Sequence, residues 1–427
     1  MTQKVRLLLI SLRILALILF VLIVIFFILG ITTGSLWLFV AAIALIILAP
    51  FVLAYGILLP LAFGWFFIQR RQERMLIDKA CRILAAHGGL HIGIAGSYGK
   101  TTAKELLKVV LGEAKKVAAT PGNMNTAIGI SRFARTLKGD EEVLIFELGE
   151  EKVGDVDFLA KLTQPRVGII TGINEAHLSS FKTLDRTVAT VFELAQHVSA
   201  DSLYQNHESR LVREANRPGI SFDQTTIDGW VVSEAKTGVE GTSFTLMKGD
   251  KTIKAHTQLL GLHTIGITAA VIVIADKLGL SPKEIEAGLL NAVPFEHRMQ
   301  PRLLHGAWMI DDTYNGNSEG VQAGLLLLKN SSAKRRIYVT PGLVEQGSET
   351  EAVHIKIGRM IAESNVDIAV IMKNSVSGYI KAGLKNGGFS GSLMEIDNPL
   401  EFYTNLEHFV AAGDVVLMQN DWTDSYR

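Results

Sequence analysis

Residues Gly96-Ser97-Tyr98-Gly99-Lys100-Thr101-Thr102 set two glycines, a lysine and four hydroxyls in one short run. These are the residue types that hold a polyphosphate. Glycines let backbone N–H groups turn inward without Cβ clashes. A helix beginning behind them adds unpaired donors and the positive end of its dipole. Lys100 then meets the outer phosphates of a nucleotide, and a Thr hydroxyl holds Mg²⁺. The run departs from the usual G-x-x-x-x-G-K-[ST] spacing because position 94 is Ile. A bare G-x-x-G-K-T also opens helices that bind nothing. Here an apolar strand from His91 precedes it, and a helix with Glu105, Leu106, Leu107 and Val110 follows. That is the context a phosphate loop requires.

Other residues fall where strand ends would collect ligands. Glu147 closes the apolar run Val143-Leu144-Ile145-Phe146, and a carboxylate there suits Mg²⁺, a hard cation that takes oxygen ligands. A strand-terminal Glu facing solvent is the plainer alternative. His177 follows the next strand through Thr171-Gly172-Ile173-Asn174-Glu175-Ala176, either as a site residue or as a surface histidine. Asn123 and Asn125, in Pro121-Gly122-Asn123-Met124-Asn125-Thr126, offer amides to an anion, although Asn and Gly are also ordinary turn residues. In Asp311-Asp312-Thr313-Tyr314-Asn315-Gly316-Asn317, two carboxylates end another strand. They could bind a ribose or a metal and Tyr314 could stack on a base, or the segment is a strand-to-helix turn with Asn caps. Arg298, beside His297, could neutralise charge on a transferring phosphate.

Positioning these residues requires strands that alternate with helices. Buried parallel strands are expected at Val143–Glu147, Val167–Thr171, Met309–Asp312, Arg336–Thr340, Ile368–Met372 and Val415–Gln419. Helical periodicity marks 103–112, 185–198, 265–278, 282–292, 318–329, 349–364 and 398–411. The expected fold class is α/β: a central phosphate-loop ATPase domain with a mostly parallel sheet, then a Rossmann-like α/β domain, with ligands at the carboxyl ends of the strands. Between about Ser221 and His256, short alternating strands read as a small antiparallel sheet. A domain break is expected near Pro294–Pro301, giving domains 75–296 and 297–427.

The chain has 427 residues, with Lys and Arg balancing Asp and Glu at 42 each. No global field therefore argues for nucleic acid. A single cysteine, Cys81, excludes an internal disulfide framework and fits a reducing compartment. Residues 1–74 read as a transmembrane anchor of two helices, about 7–30 and 36–67, since a crossing needs roughly 20 apolar residues. The second stretch is longer than a bilayer core is thick. It would tilt, kink at Pro50, or lay its end along the interface. A cleaved signal peptide is disfavoured because the apolar run is long and a second one follows. Lys4, Arg6 and Arg13 precede the pair and Arg70, Arg71 and Arg74 follow it. The positive-inside rule then puts both ends in the cytoplasm, giving a two-pass protein of the cytoplasmic membrane.

In their order, these residues resemble the Mur ligase family, and within it the MurF-type ligases. The resemblance is carried by Gly96–Thr102, Gly122-Asn123-Met124-Asn125, Glu147-Leu148-Gly149 and Ala176-His177-Leu178 with Phe181. It continues in Leu260-Gly261-Leu262-His263, His297-Arg298-Met299-Gln300 and Asp311–Asn315. It implies an ATP- and Mg²⁺-dependent amide ligase of peptidoglycan precursor synthesis. Such an enzyme activates a carboxylate as an acyl phosphate for attack by an amine. It implies that Gly96, Ser97, Tyr98, Gly99, Lys100, Thr101 and Thr102 cradle the phosphates, and that Thr101, Glu147 and His177 serve Mg²⁺. Asn125, His263, Asp312 and Tyr314 would attend the nucleotide, and Arg298 its phosphate. Lys100, His177 and Arg298 would be the catalytic set. Expected partners are a muramoyl-peptide or lipid-linked precursor, a D-Ala-D-Ala-like amine, and the membrane.

Three features depart from the family pattern. Val191 stands where the resemblance implies a carbamylated lysine, and Lys182 is no obvious replacement. His263-Thr264-Ile265-Gly266-Ile267 lacks two expected Asn side chains. Membrane helices stand where a domain for a uridine-linked substrate is implied. Two alternatives therefore stay open: a ligase for another polymer such as poly-γ-glutamate, and a Mur-like scaffold that binds ATP without ligating.

Overall fold

The structure is a computed structural model that describes residues 3–63, 69–122, 124–174, 181–313, 316–344 and 346–419. It divides into two compact units, Met1–Lys79 and Ala80–Arg427. In the first unit, helices Gln3–Thr33 and Leu36–Phe63 are joined by a turn at Gly34, whose φ of 68° suits glycine. Thr32 and Thr33 hydroxyls donate back to the Leu29 carbonyl and help close the first helix. The helices meet through Phe27 and Phe39, edge to face at 5.3 Å. Gly56 lies so near Leu15 that a Cβ would come within 2.6 Å of its methyl. Both helices are long and apolar enough to cross a membrane, and their outer faces carry bare side chains such as Phe20 and Trp37. The second continues through Pro50 and Pro60, so neither proline ends it.

Among its described residues the second unit contains two sheets. The first has ten strands: β1 (Leu90–Ala95), β2 (Val117–Ala119), β3 (Val143–Glu147), β4 (Val167–Ile170), β5 (Leu203–Asn206), β6 (Ile220–Phe222), β7 (Thr226–Ile227), β8 (Trp230–Gly238), β9 (Gly241–Lys248) and β10 (Lys251–Thr257). Their spatial order is β10-β9-β8-β7-β6-β5-β4-β1-β3-β2. Strands β2 to β6 and β1 pair in parallel, with β1 central between β3 and β4. Parallel strands covered on both faces must be apolar throughout, and β3 is buried at every position. The second sheet has six strands: β11 (Gln300–Leu304), β12 (Ala307–Asp312), β13 (Arg335–Thr340), β14 (Ile368–Met372), β15 (Ser392–Ile396) and β16 (Asp414–Gln419). Their order is β11-β12-β16-β13-β14-β15, all parallel except the β11–β12 pair.

The expected small antiparallel sheet forms at β7 to β10, and it is continuous with the parallel sheet. Strands β7 to β10 are antiparallel, but β7 pairs with β6, so they prolong the parallel sheet. The link runs through β5 and β6, four and three residues long, too short for any periodicity to register. The helix expected over 185–198 stops at Val191 and tightens into a 3₁₀ turn over Phe192–Gln196. That expected over 398–411 is two short helices, Pro399–Thr404 and Leu406–Phe409.

Helices cover both sheets. Helix Thr264–Lys277 is buried along most of its length and packs in one core with helix Lys100–Gly112 and the β8–β10 strands. Beside the second sheet, helices Thr350–Ala362 and Ser377–Asn386 touch backbone to backbone. A Cβ on Gly358 would lie 2.1 Å from the Ile380 carbonyl oxygen. Gly358→Ala should therefore force these helices apart at a cost of about 1–3 kcal/mol. Gly378→Ala, whose added methyl meets nothing within 4 Å, should be neutral or stabilising. Thermal unfolding of the two variants checks this, and equal midpoints would refute it.

Candidate active site

Strand β1 ends at Ala95, and the chain turns through Gly96 and Gly99 at φ of 141° and 77°. Both values lie in the region where a Cβ is strained. A side chain on Gly96 would also come within 2.4 Å of Thr171 Oγ1 and 2.8 Å of the Gly172 oxygen. The turn is pinned to the end of β4. The Ser97 N–H donates to the Gly172 carbonyl at 2.7 Å, and the Thr171 hydroxyl donates to the Tyr98 carbonyl. Gly99 then caps helix Lys100–Gly112, whose first bond runs from the Ala103 N–H to the Gly99 carbonyl.

Behind the turn lie two buried carboxylates. Lys100 Nζ donates to the Gly96 carbonyl and to both oxygens of Glu150, at 2.9 and 2.8 Å. One turn further along the helix, Lys104 Nζ pairs with Glu147 Oε2 at 3.2 Å and donates to the Gly122 carbonyl at 2.6 Å. Lys104 is wholly buried, and Glu147 is 4% exposed. The Thr101 hydroxyl and the Asn125 amide donate to the same Glu147 carboxylate, at 3.1 and 3.3 Å. Lys100, Thr101, Asn125 and Glu147 thus come together. So do Lys104 and Glu150, which motif reading did not single out. Lys104 could have been found, because it sits four residues from Lys100 on the same helix face among apolar positions.

A cavity of about 640 Å³ opens beside the turn. Tyr98, Gly99, Thr102 and His263 line it, together with Asp312 of β12 and Arg298 from the segment before β11. Asn174, after β4, donates to Glu319 of helix Ser318–Asn330 at 3.0 Å and ties the two halves together. Asp312 accepts from Gln419 Nε2 at 2.8 Å and from the Met299 N–H at 3.1 Å. Burial holds its carboxyl above the usual range, against those two bonds and the Arg298 charge. Gln419 is itself fixed by the Tyr338 hydroxyl at 3.0 Å. Asp311 turns away to His297 and Thr313, so only one of the paired carboxylates faces the cavity. Backbone φ values of 59° at His297 and 46° at Met299 present Arg298 between two left-handed residues.

Glu208 also lines the cavity. Its Oε2 accepts from Gln224 at 2.8 Å, and among the described residues its Oε1 has no partner. Burial pushes its carboxyl up to about 7, with the Gln224 bond opposing and the Asp223 charge adding to the shift. Val191 is completely buried at the end of its helix. Glu193, two residues on, caps helix Asp155–Thr163 through the Gly154 and Asp157 N–H groups, each at 2.9 Å. Thr264 donates to the Gly261 carbonyl at 2.8 Å, closing its own turn. His177 and Tyr314 lie outside the described residues, as does Asn123.

Among the described residues, no group of three or more His, Cys, Asp or Glu could hold a metal by itself. Mg²⁺ does not require one. It keeps several waters and binds through one or two carboxylates plus phosphate oxygens. The Thr101 hydroxyl and the Glu147 carboxylate, 3.1 Å apart, are oxygen donors of that kind.

Residues 94–275 match the Mur ligase middle domain. The UDP-N-acetylmuramoyl-tripeptide–D-alanyl-D-alanine ligase of Mycobacterium tuberculosis is 28% identical over 309 residues, covering 68% of this chain and 59% of that one. The ligase of the same name from Bacillus subtilis is 25% identical over 332 residues, covering 77% and 72%. Among solved structures, MurF from Acinetobacter baumannii superposes with a TM-score of 0.72 at 22% identity, covering 82% of this chain and 77% of that chain. MurF ligase from Thermotoga maritima in complex with ADP gives 0.69 at 25% identity, covering 82% and 80%. This chain is thus built on the Mur ligase fold, with a Mur ligase middle domain at residues 94–275. The relatives it resembles are of the MurF type. It spans about three fifths of the length of the mycobacterial relative.

The raised Glu208 carboxyl has a consequence for stability. Between its ordinary value near 4.5 and its folded value of about 7, the folded protein holds a proton that the unfolded chain has released. Stability therefore falls as pH rises through that window. Glu208→Gln removes the ionisable group and should leave the protein more stable than the parent at pH 8, by up to about 3 kcal/mol, and nearly unchanged at pH 4.5. Unfolding midpoints across that range check this. A difference that does not grow with pH would refute it.

Proposed function

We propose that this protein is a membrane-anchored, ATP-dependent amide ligase of the MurF type that works on cell-wall precursors. The observation that carries the reading is a glycine turn that opens a helix at Lys100 and borders, through Tyr98, Gly99 and Thr102, a cavity also lined by Asp312 and Arg298. The match to the Mur ligase middle domain and the likeness to an ADP-bound MurF support it. In this reading residues 1–74 are the anchor, 75–296 the ATP-binding domain and 297–427 the closing domain. The two apolar helices would hold the soluble part at the cytoplasmic face, near membrane-bound precursors, and so raise its effective concentration there.

A carboxylate is a poor acyl donor at neutral pH. An oxygen of the precursor's carboxylate attacks the γ-phosphorus of ATP, the bond to the β-phosphate oxygen breaks, and ADP leaves. The nitrogen of a D-Ala-D-Ala-like amine then attacks the acyl carbon. The C–O bond to phosphate breaks, and the amine gives up its proton as the amide forms. Backbone N–H groups of the turn and the Lys100 ammonium would meet negative charge developing on phosphate oxygens. Thr101 and Glu147, with His177, would hold Mg²⁺, whose charge offsets that of the phosphates. Asp312 would accept from the ribose hydroxyls, and Arg298 would approach the phosphate as the lobes close and exclude water. His263, Asn125 and Tyr314 would border the nucleotide.

Detergent-solubilised protein, given ATP, Mg²⁺, a muramoyl-tripeptide and D-Ala-D-Ala, should release phosphate and form the joined peptide. Lys100→Ala should lower turnover by about 10²–10³-fold. Absence of product with soluble and lipid-linked acceptors alike would overturn the reading. A screen with free glutamate separates it from a polyglutamate ligase. Val191, an apolar core residue where the resemblance implies a carbamylated lysine, favours a second reading as a non-ligating, ATP-binding scaffold. Under that reading nucleotide binds but no amide forms.

A further inference from the structure

The ammonium of Lys100 has three N–H bonds, and all three are engaged within the chain, by the Gly96 carbonyl and both Glu150 oxygens. A phosphate can take them only by displacing Glu150. The pair is well shielded, with side-chain exposures of 12% for Lys100 and 1% for Glu150, so water screens it weakly. Three residues earlier, the buried Glu147 carboxylate touches the Thr101 hydroxyl. A polyphosphate entering the turn therefore approaches two carboxylates, one of which it must dislodge. Without a cation between them, these like charges repel at short range in a weakly screened site. A divalent cation turns the same oxygens into ligands.

Building on the nucleotide-binding reading, we propose that Glu150 makes this cradle select the divalent-cation complex of a nucleotide over the free nucleotide. In the nucleotide-free protein Glu150 stands in for phosphate on Lys100. When phosphate takes Lys100, the Glu150 carboxylate becomes an oxygen donor toward the cation, beside Glu147 and Thr101. This is a selecting role distinct from that of Glu147, which is already paired with Lys104.

Calorimetric titration of the detergent-solubilised full chain with ADP, in MgCl₂ and in EDTA, tests it without recourse to turnover. The parent should prefer the magnesium complex by about a hundredfold or more. Glu150→Gln keeps the shape and removes the charge, so it should bind metal-free ADP at least about tenfold more tightly than the parent and shrink the preference to match. Glu150→Asp keeps the charge and should retain most of the preference, and the melting curve of each variant reports folding. Equal preference in the parent and Glu150→Gln would overturn the proposal. So would an equal loss in Glu150→Asp and Glu150→Gln, because charge would then not be the cause. Failure of the parent to bind ADP in either buffer would instead refute the nucleotide reading on which it rests.

Discussion

The clamp between the glycine turn and the end of β4 underlies everything else at the site. The Ser97 N–H and the Thr171 hydroxyl fasten the turn from both sides, so the helix behind it begins at one defined place. From that start, Lys100 and Lys104 emerge one turn apart on one face and meet Glu150 and Glu147. If the clamp slackened, the helix origin would drift and both ion pairs with it. Gly96 is indispensable here for steric reasons, because no other residue leaves room for Thr171 and Gly172.

The two lysines solve different problems. Lys104 is wholly buried and answers Glu147, so a carboxylate can sit at a strand end with almost no water around it. Burying such a charge alone would be costly, and it is tolerated because hydrogen bonds from Thr101 and Asn125 complete its shell. Lys100 keeps some exposure, 12% of its side chain, and pairs with Glu150. One pair holds the structure together, and the other is placed where an incoming anion would compete for it.

Across the cavity, the second sheet contributes a site built on a different logic. Asp312 is held by Gln419, which Tyr338 fixes in turn, so its carboxyl is set by three neighbouring strands, β12, β16 and β13. Arg298 comes from the segment leading into β11, bracketed by two residues of positive φ. The Asn174–Glu319 bond joins the halves at the rim. Buried apolar strands thus carry the polar groups at their ends, where the sheet no longer covers them.

Much of this was legible in the chain itself. The runs Val143–Glu147 and Ile368–Met372 are strands with those limits, because continuous β-branched and apolar residues leave a doubly covered strand as their only stable setting. The glycine turn, the helix it opens and the two apolar N-terminal helices follow equally from local composition. Tertiary structure alone decided the rest. The three- and four-residue strands β2, β5 and β6 exist only because neighbours complete their hydrogen bonds, and through them the antiparallel hairpins join the parallel sheet. The pairing of Lys104 with Glu147 and Lys100 with Glu150 was equally hidden, since 43 and 50 residues separate the partners in the chain. Local sequence specifies a residue's own backbone and the face it turns inward. Which charge it meets there depends on how distant strands are ordered.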